Sequence, residues 1–246
     1  MLLKNKTAVI TGCNRGIGLA ILELFSKNGA NVIACVRKKN DIFEKKVIDL
    51  MKLNNTKIDI VYFDIQKEEE IIYGFEEIKK KCEKIDILVN NAGINQISLF
   101  QMTPLKAFKE VFEINFFSVV SLIQKILKIF TKNNYGKIIN ISSNAAKLSS
   151  VGRSGYASSK SALITLTEVL SKELGVYKIC VNAIAPGLVN TKMMKETPEN
   201  AVNEALKNTP LKKAAEPEEV AKTALYLASD LSNHVSGETI FVTGGM

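Results

Sequence analysis

Thr11-Gly12-Cys13-Asn14-Arg15-Gly16-Ile17-Gly18 is the stretch on which the fold turns. It follows directly on a β-branched apolar run at 7–11 and opens into an amphipathic pattern at 16–28. Three glycines at a strand-to-helix junction let the chain turn tightly, let its backbone approach a phosphate, and let the helix pack close to the strand. The helix start would then offer unpaired N–H groups and a positive dipole end to a pyrophosphate. A glycine trio alone is an ordinary tight turn in many chains; its place after the first strand gives this one its weight.

Outward from that junction, short apolar runs at 7–11, 31–36, 57–63, 85–90, 136–141, 179–184 and 239–243 read as strands. The first six are apolar on both alternating sets, the pattern of strands buried on both faces. Helical patterns at 16–28, 41–53, 68–82, 104–132, 155–175 and 217–229 separate them, with Pro104 and Pro217 suited to a first helical turn. Such alternation implies right-handed crossovers and a doubly wound parallel α/β sheet with helices on both faces. The 246 residues suit one α/β domain spanning 1–246, and no repeat or linker divides them. One connection, 184–217, is long, rich in Lys, Glu and Asn, and dotted with Leu and Met. At the carboxyl edge of a sheet it reads as a lid, at about 188–215.

Hydrophobic residues make up 46% of the chain, enough for a sizeable core and against disorder. The net charge of +8 suits nucleic acid, membrane or an acidic partner in principle. Yet Glu68-Glu69-Glu70 stands at an expected helix start and Lys79-Lys80-Lys81 at its end, where the dipole favours each, so these charges read as a solvated face. No basic stripe interleaved with aromatics points to nucleic acid. Cys13, Cys35, Cys82 and Cys180 are widely spaced, with no C-x-x-C pair, so no metal site is expected and the thiols read as reduced. Cys13, though in the glycine loop, reads as a small residue filling the turn. The lone His234 lies far along the chain from the other candidates and reads as structural or surface. No apolar targeting run precedes the first strand, and Lys125 and Lys128 interrupt the longest apolar stretch, 114–130. A soluble, cytoplasmic protein is expected, without membrane or nucleic-acid partners.

Further motifs follow in order: Asn90-Asn91-Ala92-Gly93, Asn115, Ser143, Tyr156-x-x-x-Lys160, Pro186-Gly187 with Thr191, and the closing Val242-Thr243-Gly244-Gly245. With the G-x-x-x-G-x-G spacing of the first loop, they make the chain resemble the short-chain dehydrogenase/reductase family over essentially its whole length. The resemblance implies a Rossmann-type seven-stranded sheet, NAD(P)-dependent oxidoreductase chemistry, and Asn115, Ser143, Tyr156 and Lys160 as the catalytic group. Tyr156 and Lys160, four apart, project from one helix face. A free phenol titrates near about 10, and a close ammonium would favour its ionised form. Tyr156 would then protonate a developing alkoxide, Ser143 would polarise the same oxygen, and Lys160 would also bond the nicotinamide ribose. Asn115 would sit in a locally disturbed helix and anchor a water leading from Lys160 to solvent. The implied cofactor contacts are Gly12, Asn14, Arg15, Gly16, Ile17 and Gly18 at the diphosphate, and Asp64 and Ile65 at the adenine. Asn91, Ala92 and Gly93 follow along the riboses, with Pro186, Gly187, Val189 and Thr191 at the nicotinamide. An NAD site needs a carboxylate after the second strand; here that end reads Cys35-Val36-Arg37-Lys38. Arg37, with Arg15, would meet a 2′-phosphate, so NADP(H) is expected over NAD.

In length, in Asn14-Arg15-Gly16-Ile17-Gly18, and in the ending Thr243-Gly244-Gly245-Met246, the chain most resembles 3-oxoacyl-[acyl-carrier-protein] reductases of fatty acid biosynthesis. That implies reduction of a 3-oxoacyl thioester to the 3-hydroxyacyl form, with an acidic acyl carrier protein as partner. The carrier-binding arginines of those reductases are replaced by Asn134 and Tyr177. Lys132, Lys137 and Lys178 are the neighbouring cations, though Lys lacks the bidentate fork of Arg. A sugar or small alcohol, including one in surface-glycan synthesis, is the alternative substrate. Asn95, Gln96, Asn144 and Ser149 would give it a polar pocket; Leu188, Met193 and Met194 would give an apolar lid. A catalytically silent nucleotide sensor is the alternative of another class, disfavoured by the presence of Tyr156 and Lys160. The resemblance also implies a homodimer or homotetramer paired through the helices that hold Asn115 and Tyr156. Phe116, Phe117, Val120, Leu163, Leu166 and Val169 read equally as interface or core.

Overall fold

Strands β1 (Thr7–Thr11), β2 (Asn31–Val36), β3 (Ile58–Tyr62), β4 (Ile87–Asn90), β5 (Gly136–Ile141), β6 (Ile179–Pro186) and β7 (Thr239–Val242) make one parallel sheet in the order β3-β2-β1-β4-β5-β6-β7, in a computed structural model that describes residues 1–246. Successive side chains on a strand point to opposite faces, and the two cores divide accordingly. Ala8, Ile10, Val32, Ala34, Ile87, Val89, Ile139 and Ile141 pack on one face against α1 (Gly16–Lys27), α2 (Asp41–Asn54) and α9 (Pro217–Ala228). Val9, Ile33, Cys35, Leu88 and Ile138 pack on the other against α3 (Glu68–Lys81), α5 (Ser118–Asn133) and α6 (Ser154–Leu174). The doubly wound sheet expected from the sequence is therefore present. Strand order reverses between β1 and β4, and that switch leaves a crevice at the carboxyl ends where ligands of such sheets bind.

The single helix expected at 104–132 is three segments. α4 (Leu105–Phe112) passes through a π-helical stretch, Glu113–Phe117, into α5. Pro104 lies just outside α4, at its cap, whereas Pro217 is inside the first turn of α9, closed by a capping box between Glu216 and Glu219. The continuous stretch Leu105–Asn133 is long and apolar enough to cross a membrane, contrary to the expectation that Lys125 and Lys128 disqualify it. It is instead a core helix, burying Val111, Ile114, Val119, Leu122, Ile123, Ile126 and Phe130.

Residues 188–215 are not a bare loop. They hold α7 (Lys192–Lys195) and α8 (Glu199–Asn208), and the excursion closes on itself through a bridge between Val189 and Ala215. The exposed pairs Lys79–Glu76 and Lys80–Glu77 on α3 make its charges a solvated helix face. His234 is exposed. Of the helix residues left open between core and interface, Leu163 is core, while Phe117 and Val169 are about half exposed.

Candidate functional site

The β1–α1 loop is shaped by close contacts rather than by its own side chains. Gly12 and Gly16 take φ of 65° and 55°, a region other residues rarely adopt. A Cβ on Gly12 would lie 2.9 Å from the Ala92 Cα, and one on Gly18 would lie 2.4 Å from both Asn91 Nδ2 and the Gly12 carbonyl oxygen. Asn91 ties the loop to the end of β4: its Nδ2 donates to the carbonyls of Thr11 (2.9 Å) and Gly12 (3.0 Å). Its backbone N–H, and that of Ala92, donate to Thr11 Oγ1. The Asn91 amide is thus spent on the loop, which leaves its carbonyl oxygen and backbone for any ribose contact. Arg15, extended, precedes α1, and no side chain caps the first turn, so its N–H groups and positive dipole end are left for an anion. A Cβ on Gly16 would meet the Thr191 methyl at 3.3 Å, which puts Thr191 beside the phosphate loop. These features fit the diphosphate of a dinucleotide.

Other predicted contacts divide. Ile17 and Val189 turn their side chains into the first core, leaving only backbone for a cofactor. Asn14, Arg15, Arg37 and Lys38 are exposed, and none of the three cations is in an ion pair. Gly12 N–H donates to the Cys35 carbonyl, so the end of β2 that leads to Arg37 lies against the loop. Asp64, two residues past β3, accepts from the Gln66 N–H, and Ile65 packs against the second core. Pro186 ends β6, and Gly187 passes within 3.1 Å, measured from a built Cβ, of the Thr243 Cα. Burial pushes the Cys13 thiol up to about 12, so it fills the turn and is not a reactive nucleophile.

Across the crevice, α6 is pinned to the sheet along its length. Ser142 Oγ donates to the Lys160 carbonyl (2.9 Å), Lys160 Nζ to the Ile141 carbonyl (2.8 Å), Ser161 Oγ to the Ala146 carbonyl (2.9 Å), and Asn140 Nδ2 to Thr167 Oγ1 (2.9 Å). Tyr156 is 7% exposed and Lys160 5%. The two serines after β5 part company. Ser142 is bound to the helix backbone, while Ser143 caps the short turn beyond it, its Oγ accepting from the Ala145 N–H (3.2 Å). Asn115 sits in the π stretch, fully buried. Its Oδ1 accepts from the Ile94 N–H (2.9 Å), and its Nδ2 donates to the Ile94 carbonyl (3.0 Å) and Ser159 Oγ (3.2 Å). The side-chain amide so joins the loop after β4 to α6, and the π stretch is the local helix disturbance that the resemblance implied at Asn115. Gly93 fills the gap between these groups: a Cβ there would sit 3.0 Å from Asn115 Oδ1 and 3.5 Å from Lys160 Nζ.

The electrostatics also differ from expectation. Burial dominates at Tyr156 and drives the phenol above its ordinary value; Ser143 and Arg153 pull the other way without prevailing. Lys160 is not among the groups that lower it. Its Nζ lies 6.0 Å from the phenol ring centroid, held on the Ile141 carbonyl, and burial drops its own pKa to about 8. Arg153 was missed altogether. Its Cζ lies 5.9 Å from the Tyr156 ring centroid and its Nη1 donates to Asn95 Oδ1 (3.0 Å). The available signal was a cation three residues before Tyr156, at what becomes the cap of α6.

Two of the possible carrier contacts survive. Lys132 and Lys178 are exposed at the amino ends of β5 and β6, the opposite edge from Ser143. Lys137 is excluded: it is buried within β5, with Nζ donating to the Ser232 carbonyl at 3.1 Å.

A glycine-lined helix start at a sheet's switch point, facing a buried Tyr-Ser-Lys group, defines a nicotinamide-dinucleotide oxidoreductase. When bound, the nicotinamide supplies or accepts the hydride. A family model described as Enoyl-(Acyl carrier protein) reductase matches residues 12–246. The 3-oxoacyl-[acyl-carrier-protein] reductase of Chlamydia trachomatis serovar D is 36% identical over 245 residues, covering 100% of this chain and 98% of that protein. A 3alpha-hydroxysteroid dehydrogenase of Mediterraneibacter gnavus is 34% identical, covering 99% and 98%. A solved 7 alpha-hydroxysteroid dehydrogenase complexed with NADH and 7-oxo glycochenodeoxycholic acid superposes with a TM-score of 0.93 at 34% identity, covering 99% of this chain and 94% of that one. The chain belongs to the short-chain dehydrogenase/reductase family and is an NAD(P)-dependent oxidoreductase.

Proposed function

We propose that the chain is an NADPH-dependent reductase of 3-oxoacyl thioesters carried on an acyl carrier protein, giving the 3-hydroxyacyl form. The observation that carries the reading is a buried Tyr156 phenol, four residues before a buried Lys160 and across the crevice from the glycine-lined start of α1; burial raises the phenol and favours its protonated form. A proton held at Tyr156 through neutral pH is ready for the oxygen of a carbonyl as negative charge grows on it. Ser143 donates to the same oxygen. Asn115 is a positioning residue, holding the loop from Asn91 to Asn95 against α6, and Lys160 serves the nicotinamide ribose from behind Gly93. Gly12, Gly16, Gly18 and the start of α1 cradle the diphosphate, with Thr191 beside them. Asp64 and Ile65 serve the adenine, the backbone of Ala92, Gly93, Pro186 and Gly187 the nicotinamide half. Arg15 and Arg37, with no carboxylate on either, favour a 2′-phosphate.

The substrate class rests on relatives named as 3-oxoacyl-[acyl-carrier-protein] reductases that match over the full chain. The net charge of +8 and the exposed Lys132 and Lys178 suit an acidic carrier. Residues 188–215 would act as the lid, and Phe117 and Val169 as part of a dimer or tetramer contact, in a soluble cytoplasmic enzyme. A second reading, oxidation of another secondary alcohol or reduction of the matching ketone, draws on the exposed Leu148, Val151 and Met193 and on the two hydroxysteroid dehydrogenases.

Oxidation of NADPH and of NADH, followed with an acetoacetyl thioester, keto-sugars and an oxo-steroid, tests both readings. The thioester with NADPH is expected to give the highest kcat/KM, and Tyr156→Phe to abolish turnover while NADPH still binds. Turnover confined to sugars or steroids, or a preference for NADH, would overturn the leading reading.

A further inference from the structure

Arg153 is the one cation at the mouth of the site that the proposed chemistry leaves without a task. It is the residue that precedes α6, three before Tyr156, and Lys160 stands four after the phenol within the helix, so the chain carries a cation on either side of the phenol. The two cations differ in depth. Lys160 is buried on the Ile141 carbonyl, whereas Arg153 is half-buried, its guanidinium 5.9 Å from the phenol ring centroid. Its one hydrogen bond is to Asn95 Oδ1, and it pairs with no carboxylate. Asn95 is itself fixed, its Oδ1 also accepting from the Gln96 N–H, while Gln96 Oε1 accepts from the Gly155 N–H. The guanidinium is therefore held in orientation from one side and keeps most of its five donors for another acceptor.

We propose that Arg153 binds the C1 oxygen of a 3-oxoacyl substrate while Tyr156 and Ser143 hold the C3 oxygen, so that the site selects 1,3-dicarbonyl compounds. This rests on the reading that Tyr156 protonates a reduced carbonyl. Two oxygens on alternate carbons suit a phenol hydroxyl and a guanidinium lying beside the same ring. A planar fork of donors accepts either a thioester carbonyl or a free carboxylate at that point. Arg153 is on this account a specificity residue; it holds the acyl group, and the proton comes from its neighbour.

The test compares wild type, Arg153→Gln and Arg153→Lys on an acetoacetyl pantetheine thioester, acetoacetate and pentan-2-one, which lacks the C1 oxygen. Thermal stability and NADPH binding are measured alongside. Wild type is expected to favour the two acetoacetyl compounds over pentan-2-one. Loss of a charge-assisted hydrogen bond should cut that preference by roughly ten- to a hundredfold in Arg153→Gln, with part of it kept in Arg153→Lys. A larger loss for acetoacetate marks the carboxylate as the natural source of the oxygen, and a larger loss for the thioester marks the carrier-linked form. If Arg153→Gln slows all three substrates alike, the residue merely clamps the loop or tunes the phenol, and the proposal fails. If wild type reduces pentan-2-one as well as the acetoacetyl compounds, the proposal fails and carbonyl reduction stands. If it reduces no carbonyl compound at all, both fail.

Discussion

Replacing Lys160 by Met should make the protein more stable and inactive at once. The ammonium is buried 95% or more, and burial alone drops its pKa from the usual 10.5 to about 8. That difference corresponds to about 3 kcal/mol by which the charged form is disfavoured in the fold. The sign follows from proton counting. Between about 8 and 10.5 the unfolded chain holds the proton and the folded chain does not, so stability rises with pH across that window. Below about 8 the full penalty is present; above the unfolded value it has gone. Met keeps the stem and removes the charge, but leaves the Ile141 carbonyl without its donor, a loss of about 1 kcal/mol. The variant should therefore gain roughly 2 kcal/mol at pH 7, and the gain should shrink above about pH 8, vanish before the usual lysine pKa and give way to a deficit of about 1 kcal/mol beyond it. Urea unfolding of both proteins at intervals from pH 6.5 to about 10 reads this as the difference between their curves. The difference matters because the buried Cys13 and Cys35 thiols, pushed up by burial, lower the stability of both proteins alike at alkaline pH. Parallel curves, with no narrowing above about pH 8, would show that Lys160 carries no burial penalty.

Four other outcomes are expected. Gly18→Ala forces a Cβ to within 2.4 Å of Asn91 Nδ2 and the Gly12 carbonyl, so it should lose about 1–3 kcal/mol of stability by overpacking and weaken dinucleotide binding, read by calorimetry. Thr167→Val keeps the shape but strands the buried Asn140 amide, and should cost about 1–3 kcal/mol in denaturant unfolding; a neutral result would place the Asn140 donor elsewhere. Because the Tyr156 phenol lies above its ordinary value, carbonyl reduction should hold through neutral pH and alcohol oxidation should rise only at alkaline pH. Arg153→Gln should move both limbs of the pH–rate profile upward, since Arg153 is one of the two groups pulling the phenol down.

The architecture was legible because it is written in a period of two. Ala8 and Ile10 face one core and Val9 the other, and both faces are apolar, which only a sheet covered on both sides requires. The glycine loop was legible for a like reason, since Gly12 and Gly18 stand where no Cβ fits. What escaped was direction. Ile17 and Val189 lie within the cofactor motifs yet point into the core, Asn91 serves its own loop, and Lys137 looks available beside a strand but is buried on the Ser232 carbonyl. The π stretch at Glu113–Phe117 left no mark on the apolar pattern, which continues across it through Ile114, Val119 and Leu122; only the resemblance implied a disturbed helix at Asn115. An inserted residue changes where Asn115 points without changing what surrounds it.

The relation of Tyr156 to its two cations shows why spacing alone misjudged the chemistry. Lys160, four residues on, stands as near the phenol ring as Arg153 does, but burial drops its own pKa to about 8, so it has given up its charge before the raised phenol titrates. Arg153, three residues back, is the cation that does pull on the phenol, and it loses to burial. A phenol that stays protonated is a donor, suited to reduction, whereas an ionised one is an acceptor, suited to oxidation. Burial of Tyr156 raises the phenol and so favours its protonated, donating form, the form on which reduction of a carbonyl draws.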